Sequence, residues 1–434
     1  MKKRIALVVN TLSGGGAEKT AANLSLGLSD RFDVDIVVND DAHLDYPFKG
    51  RVISLKMPAD RNRMGTGYQI CAMIRRIRML KKLKAKRNYT AVLSFSEMTN
   101  LANVLSRKRG QRETKTILSV HNSVKNSRTN GWKHRLVIDH IFPFCLKRAD
   151  ITVACSKEIA EELIRGCGLP EDRSRVIYNG LDLGSIREQA EAPATVTFFN
   201  DRRSQTPEEE PKLVVTVGRL ARQKGQWHLI RVMKQLKENG IPVRLIILGE
   251  GELRGRLEKL VSEAGLEKEI LLPGFIQNPY TYMAAADAVV FPSLFEGFSN
   301  AIVEALACGA AVISTDHETG AREILAPGTD FRMKAKNHIE KAEYGILVPV
   351  CDRRFLGAEE PLTKEEELLA GAIRQLLSDE NLREHYKKVS QERAKQLDAK
   401  RIVQKWAQLI EGQERENAFA QSAPQHAGES VKDH

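Results

Sequence analysis

Two glutamates eight positions apart, Glu296 and Glu304, flank what reads as the start of a helix. The stretch FPSLFEGFSNAIVEALACG, Phe291 to Gly309, follows an apolar strand ending at Phe291. It permits a tight turn at Gly297 and offers Ser299 or Asn300 as an N-cap. Glu296 then falls in the turn and Glu304 about one helical turn inside, ~6 Å beyond the cap. A helix start presents unpaired N–H groups and a positive dipole end to an anion, whereas carboxylates accept hydroxyls. A diphosphate with a sugar on one side and a ribose on the other would satisfy all three groups. The competing reading is a solvated surface helix, because Glu is common near helix starts.

Cations suited to the same ligand occur in a second loop. VGRLARQKG, Val217 to Gly225, follows the strand pattern Leu213–Val217 and sets Arg219 and Lys224 near Gly218. Two fixed cations there could clamp a diphosphate and offset charge developing on it, against the plainer reading of a solvated basic loop. His121 comes directly after the run Thr116–Val120, where open α/β sheets bind ligands, although a lone His is more often structural. The run Arg4–Asn10 leads into Gly14, Gly15 and Gly16 and then a helical pattern, so the backbone there could approach a ligand. Lys19 stands where G-x-G-x-x-G needs its third glycine, which leaves a dinucleotide fingerprint unsupported. Asp40 and Asp41 follow the next strand, roughly where a ribose-binding acid would stand in a dinucleotide fold, but read rather as a solvated strand-end turn. Asp33-x-Asp35 has the spacing of a metal-binding pair but lies at the beginning of a strand. With no other metal-ligand spacing and no C-x-x-C pair among six cysteines, no metal and no cofactor are expected.

Two successive α/β domains must position these residues. The 434 residues exceed the ~250 that one core usually organises. Strand and helix patterns alternate over 1–185, polar and Pro-containing sequence over 186–210 reads as a linker, and a second α/β series fills 211–395. A helix within 396–413 is expected to pack back on the first domain, and 414–434 reads as a disordered tail. Apolar runs are strand-length and no signal peptide is recognisable, so a cytoplasmic location is expected.

Charge is uneven. Residues 1–185 hold 33 lysines and arginines against 18 acids, a net +15, whereas residues 186–434 are net −4. From Gln69 to Tyr89 a basic amphipathic helix sets Ile70, Ile74, Ile77, Leu80 and Leu83 among eight basic residues between Arg75 and Arg87. Its expected partner is an anionic membrane surface, touched through Arg75, Arg76, Lys81, Lys82 and Lys84, unless the apolar stripe simply packs on the sheet. Aromatics are 6% of the chain and do not interleave with the basic run, which argues against nucleic acid.

Most of the chain resembles the retaining glycosyltransferases of family 4. The motifs are GGGAEK (14–19), His121, CSKE (155–158), YNGLD (178–182), GRLARQKG (218–225), LGEGEL (248–253), the Glu-x7-Glu segment, TGAREIL (319–325) and YGILVPVCD (344–352). The resemblance implies the GT-B fold, in which two doubly wound Rossmann-like domains face each other across a cleft. It implies transfer of a sugar from a nucleotide diphosphate sugar, UDP being commonest, with retention and without metal. By matching position Arg219 and Lys224 would hold the diphosphate, Glu296 the donor-sugar hydroxyls and Glu304 the ribose. Backbone around Phe298, Ser299 and Asn300, with Gly218, would contact the donor; Gly15 and Gly16 would leave it room, and His121 would line the reaction centre. The acceptor is expected to be a polysaccharide or a polyprenol-diphosphate-linked glycan. The alternatives are a nucleotide-sugar 2-epimerase of the same fold and a non-enzymatic membrane- or nucleic-acid-binding protein. Two departures stand out: Ala311, where the family often has Pro, and an insert at 329–344.

Overall fold

A computed structural model describes residues 2–42, 44–57, 66–107, 114–127, 137–193 and 211–413. Among these residues are two seven-stranded sheets with matching winding. The first contains β1 (Arg4–Val8), β2 (Asp33–Val38), β3 (Arg51–Ser54), β4 (Ala91–Ser94), β5 (Lys115–Val120), β6 (Ile151–Ala154) and β7 (Ser174–Val176), in the order 3-2-1-4-5-6-7. The second contains β8 (Lys212–Val217), β9 (Val243–Leu248), β10 (Ile270–Gly274), β11 (Ala288–Phe291), β12 (Val312–Thr315), β13 (Glu340–Ala342) and β14 (Gly345–Val348), in the order 10-9-8-11-12-14-13. All pairings are parallel except β13 with β14. The central strands are unbroken apolar runs because helices cover both faces of a parallel sheet. Each order reverses beside its first strand, and the crevice past the strand ends at such a switch point is where ligands bind.

The helices that position the site are α1 (Gly16–Leu28), α2 (Thr66–Arg87), α3 (Glu97–Leu105), α4 (Phe142–Arg148), α5 (Lys157–Glu161) and α6 (Leu183–Ala190), then α7 (Gln226–Glu238), α8 (Asn300–Ala307), α9 (Ala321–Leu325), α10 (Lys364–Ser378), α11 (Glu380–Gln396) and α12 (Ala399–Glu411). The last of these returns to the N-terminal domain, where Ile402, Trp406 and Ile410 join Ile5, Leu7, Leu93 and Phe95 in one buried core. Its approach is stitched to the chain leaving that domain: Leu181 N–H donates to Leu397 O at 3.2 Å and Ala399 N–H to Leu181 O at 2.9 Å.

Two expectations change. Residues 186–190 are helical rather than linker, because Asp182 caps α6 by accepting from Ser185 N at 3.1 Å. The carbonyl of Gln189 then receives Asn278 and Thr281 of the second domain. Residues 194–210 of the expected linker and the whole 414–434 tail lie outside the described residues.

The second change concerns α2. Arg76 and Lys84 do not face outward; both are buried. Arg76 donates to Asn39 Oδ1 at 2.7 Å, and Lys84 donates to the carbonyl and Oδ1 of Asn103 at 2.7 and 2.8 Å, tying α2 to α3. Periodicity had placed them on a basic face, but long side chains reach inward past the shorter apolar ones. The aliphatic stripe divides as well: Leu80 is buried, with Ile77 and Leu83 packed beside it, whereas Ile70 and Ile74 are 58% and 42% exposed. Arg75, Lys81 and Lys82 stay exposed.

Candidate active site

A cavity of about 700 Å³ lies between the domains. Every predicted site residue outside α2 lines it. Gly15, Gly16 and His121 do so from the first domain. Gly218, Arg219, Lys224, Glu296, Phe298, Ser299, Asn300 and Glu304 do so from the second. The second domain's residues arrive on the loops after β8 and β11, adjacent strands at the switch point.

The loop after β11 closes directly on the first domain. A Cβ on Gly297 would lie 1.7 Å from the carbonyl oxygen of His121, so only glycine admits this approach. Ser299 is the N-cap of α8 but makes no side-chain capping bond, and its buried hydroxyl has no partner among the described residues. The helix end is thus left to whatever enters the cavity. Asn300 is anchored across the cleft by Asn179, whose Nδ2 donates to its Oδ1 at 3.0 Å, and Tyr178 stacks on Phe298 at 5.4 Å between centroids.

Charges are arranged in pairs. Glu296 accepts from Lys224 at 2.5 Å, Gln223 at 2.9 Å and Ser293 at 3.1 Å. Burial pushes its carboxyl up, but Lys224, His317 and these hydrogen bonds outweigh that and hold it below the ordinary value. Glu304 pairs at 2.8 Å with Lys19 of the opposite domain, and this carboxylate is the main reason the Lys19 ammonium is raised above its ordinary pKa. Arg219 is exposed at the cavity wall. His121 stacks on Phe95 and its Nε2 lies 2.8 Å from Ser119 Oγ. Burial lowers its pKa to about 4, so the ring is neutral near pH 7.

Several lining residues were missed by sequence reasoning. Lys19 was weighed only as a displaced glycine, although its position one turn into a helix after a glycine loop was a signal. Gln223, beside Lys224, and Asn179, just past β7, carried no separate signal. The Asp33-x-Asp35 pair is absorbed elsewhere: Asp33 meets Arg4 at 2.6 Å, and Asp35 meets Arg87 at 3.1 Å and Tyr89 at 2.6 Å.

Two doubly wound domains meeting at an uncapped helix end, two cations and two carboxylates define a GT-B glycosyltransferase. The chain belongs to glycosyltransferase family 4: residues 14–185 match Glycosyltransferase Family 4 and residues 197–346 match Glycosyl transferases group 1. It is 32% identical over 302 residues, 69% of this chain and 72% of the relative, to an uncharacterised glycosyltransferase of Methanocaldococcus jannaschii. Over 408 residues, 92% of this chain and 97% of the relative, it is 28% identical to the N-acetylgalactosamine-N,N'-diacetylbacillosaminyl-diphospho-undecaprenol 4-alpha-N-acetylgalactosaminyltransferase of Campylobacter jejuni. The crystal structure of Anabaena HepE in complex with UDP shares the fold with a TM-score of 0.69 at 18% identity, covering 94% of this chain and 100% of that one.

Proposed function

We propose that this glycosyltransferase moves a sugar from a UDP-sugar to a polyprenol-diphosphate-linked glycan, with retention, without a divalent metal and at the cytoplasmic membrane face. The observation that carries the reading is the uncapped N-terminus of α8 set between Glu296 and Glu304, with Lys224 and Arg219 on the same cavity wall. The diphosphate suits the helix end and the cations, the ribose suits Glu304 and the donor sugar suits Glu296. The family's usual picture, front-face substitution, fits these groups. The bond between the anomeric carbon and the phosphate oxygen breaks, and charge builds on the phosphate beside Arg219, Lys224 and the α8 amides. The acceptor hydroxyl bonds to the anomeric carbon on the same face and gives its proton to the departing phosphate oxygen. The cations supply the charge compensation that Mg²⁺ gives other transferases, and neutral His121 lines the reaction centre without adding charge. A diphospho-undecaprenol acceptor named for the Campylobacter relative and UDP in the Anabaena structure support the choice of substrates.

Membrane contact rests on α2, where Arg75, Arg78, Lys81 and Lys82 surround the exposed Ile70 and Ile74. Four such cations near an anionic surface contribute about 4 kcal/mol before screening. No helix among the described residues is long and apolar enough to cross a membrane. The test is incubation with labelled UDP-sugars, with and without undecaprenol-diphosphate-linked glycans, in chelator. Label passing to the lipid with its anomeric configuration kept is expected. Transfer only to soluble acceptors, inversion, or a chelator loss restored by Mg²⁺ would each remove the corresponding part of the proposal.

A further inference from the structure

Thr319 has a φ of 69°, a left-handed conformation that a β-branched residue adopts only when its surroundings hold it. Two contacts do so. Its N–H donates to the carboxylate of Glu158, in the first turn of α5 in the opposite domain, and its hydroxyl donates to the carbonyl oxygen of Glu296. One residue thus joins the N-terminal domain to the backbone of the proposed donor-sugar carboxylate. The next residue, Gly320, lies against Phe298 and the amide of Ser299, at the mouth of α8.

Glu158 is itself held from the second domain. Lys334, within the 329–344 insert, meets it at 2.7 Å, and Arg332 of the same insert meets Glu161 at 2.9 Å. Glu323 of α9 receives the amides of Lys157 and Glu158 at 2.8 and 3.2 Å and the Tyr178 hydroxyl at 2.9 Å. The insert, which the family motifs leave without a role, therefore reaches across the cleft to the helix that carries Glu158.

We propose that Glu158 is a positioning residue for transfer: through Thr319 it sets the backbone of Glu296 only while the domains are together, and Lys334 of the insert keeps Glu158 in place. The proposal rests on the assignment of Glu296 to the donor sugar. Glu158 does not touch the cavity, so its effect falls on alignment rather than on donor affinity.

The experiment compares Glu158→Ala, Glu158→Gln, Thr319→Ala and Lys334→Met in the full chain by steady-state kinetics, calorimetric UDP binding and thermal unfolding. Glu158→Ala and Thr319→Ala are expected to lower kcat by ~10- to 100-fold, the scale of a small misplacement at a reacting centre, with donor KM and UDP affinity held within about 2-fold. Glu158→Gln, whose amide oxygen still accepts from Thr319, is expected to recover most of the rate, and Lys334→Met to lose a few-fold. An unchanged kcat in Glu158→Ala overturns the proposal, as does a loss that appears equally in UDP affinity and is not recovered by Gln. If Glu158→Ala does not fold, Thr319→Ala decides by the same criteria. Glu296→Ala serves as the reference: normal turnover there removes the donor assignment itself, whereas low turnover there with normal Glu158→Ala removes only the positioning role.

Discussion

Lys224 with Glu296 and Lys19 with Glu304 stand in the same cavity, but only the second pair spans two domains. The first is made within the C-terminal domain at 2.5 Å and is reinforced by Gln223 and Ser293. Its side-chain partners all come from the C-terminal domain. The second joins α1 to α8 at 2.8 Å, with the Lys19 side chain 33% exposed, and separating the domains leaves Glu304 without its cation. On the proposed roles, the charge pair at the chemical end of the donor site forms within one domain, while its backbone is set from the other through Thr319 and Glu158. The ribose end also reports whether the cleft is shut.

Breaking the intradomain pair should have the largest effect. Glu296→Ala and Lys224→Met are each expected to lower kcat by ~10²- to 10³-fold, the scale of losing one electrostatic stabiliser, with donor KM changed far less. Steady-state kinetics checks this, and equal effects on both pairs would erase the distinction. Glu304→Ala should instead raise donor KM about 10-fold with kcat nearly kept, because a ribose contact binds ground and transition states alike. Lys19→Met should raise donor KM only a few-fold, as befits a partly exposed pair, and by less at ~1 M salt, where screening has already weakened the contact. The two substitutions should combine non-additively, as expected for residues in direct contact.

A third lysine sharpens the contrast, and its effect falls on stability instead of turnover. Lys84 has carbonyl partners instead of a carboxylate, and burial lowers its pKa from 10.5 to about 7, opposite in sign to Lys19. Between those values the unfolded chain holds a proton that the folded chain sheds. Stability from this group therefore rises with pH across about 7 to 10.5 and is lost below it. Urea unfolding at pH 7 and pH 10 should show Lys84→Met flattening that slope.

Much of this was legible because it is local. The apolar runs before Gly218 and Gly297 announce strand ends, and the Glu-x7-Glu spacing is set by one turn and one helix, so Glu296 and Glu304 could be placed from their neighbours alone. What was not legible depends on partners far away in the chain. Lys19 meets a residue 285 positions distant and Thr319 one 161 positions distant, and no periodicity encodes such pairs. Arg76 and Lys84 fail differently: helical spacing gives the face on which a Cα lies, not the direction in which a long side chain reaches. The insert at 329–344 carried no role in the sequence because its cations acquire meaning only opposite Glu158 and Glu161.

The return of α12 to the first domain bears on how the protein is made. Trp406 and Ile410 complete the core around Ile5 and Phe95, yet they leave the ribosome after the whole second domain. Domains usually fold in the order of their synthesis. Here the domain begun first is finished last, and until residue 410 emerges the nascent chain carries an open apolar face that a chaperone or an aggregate could occupy.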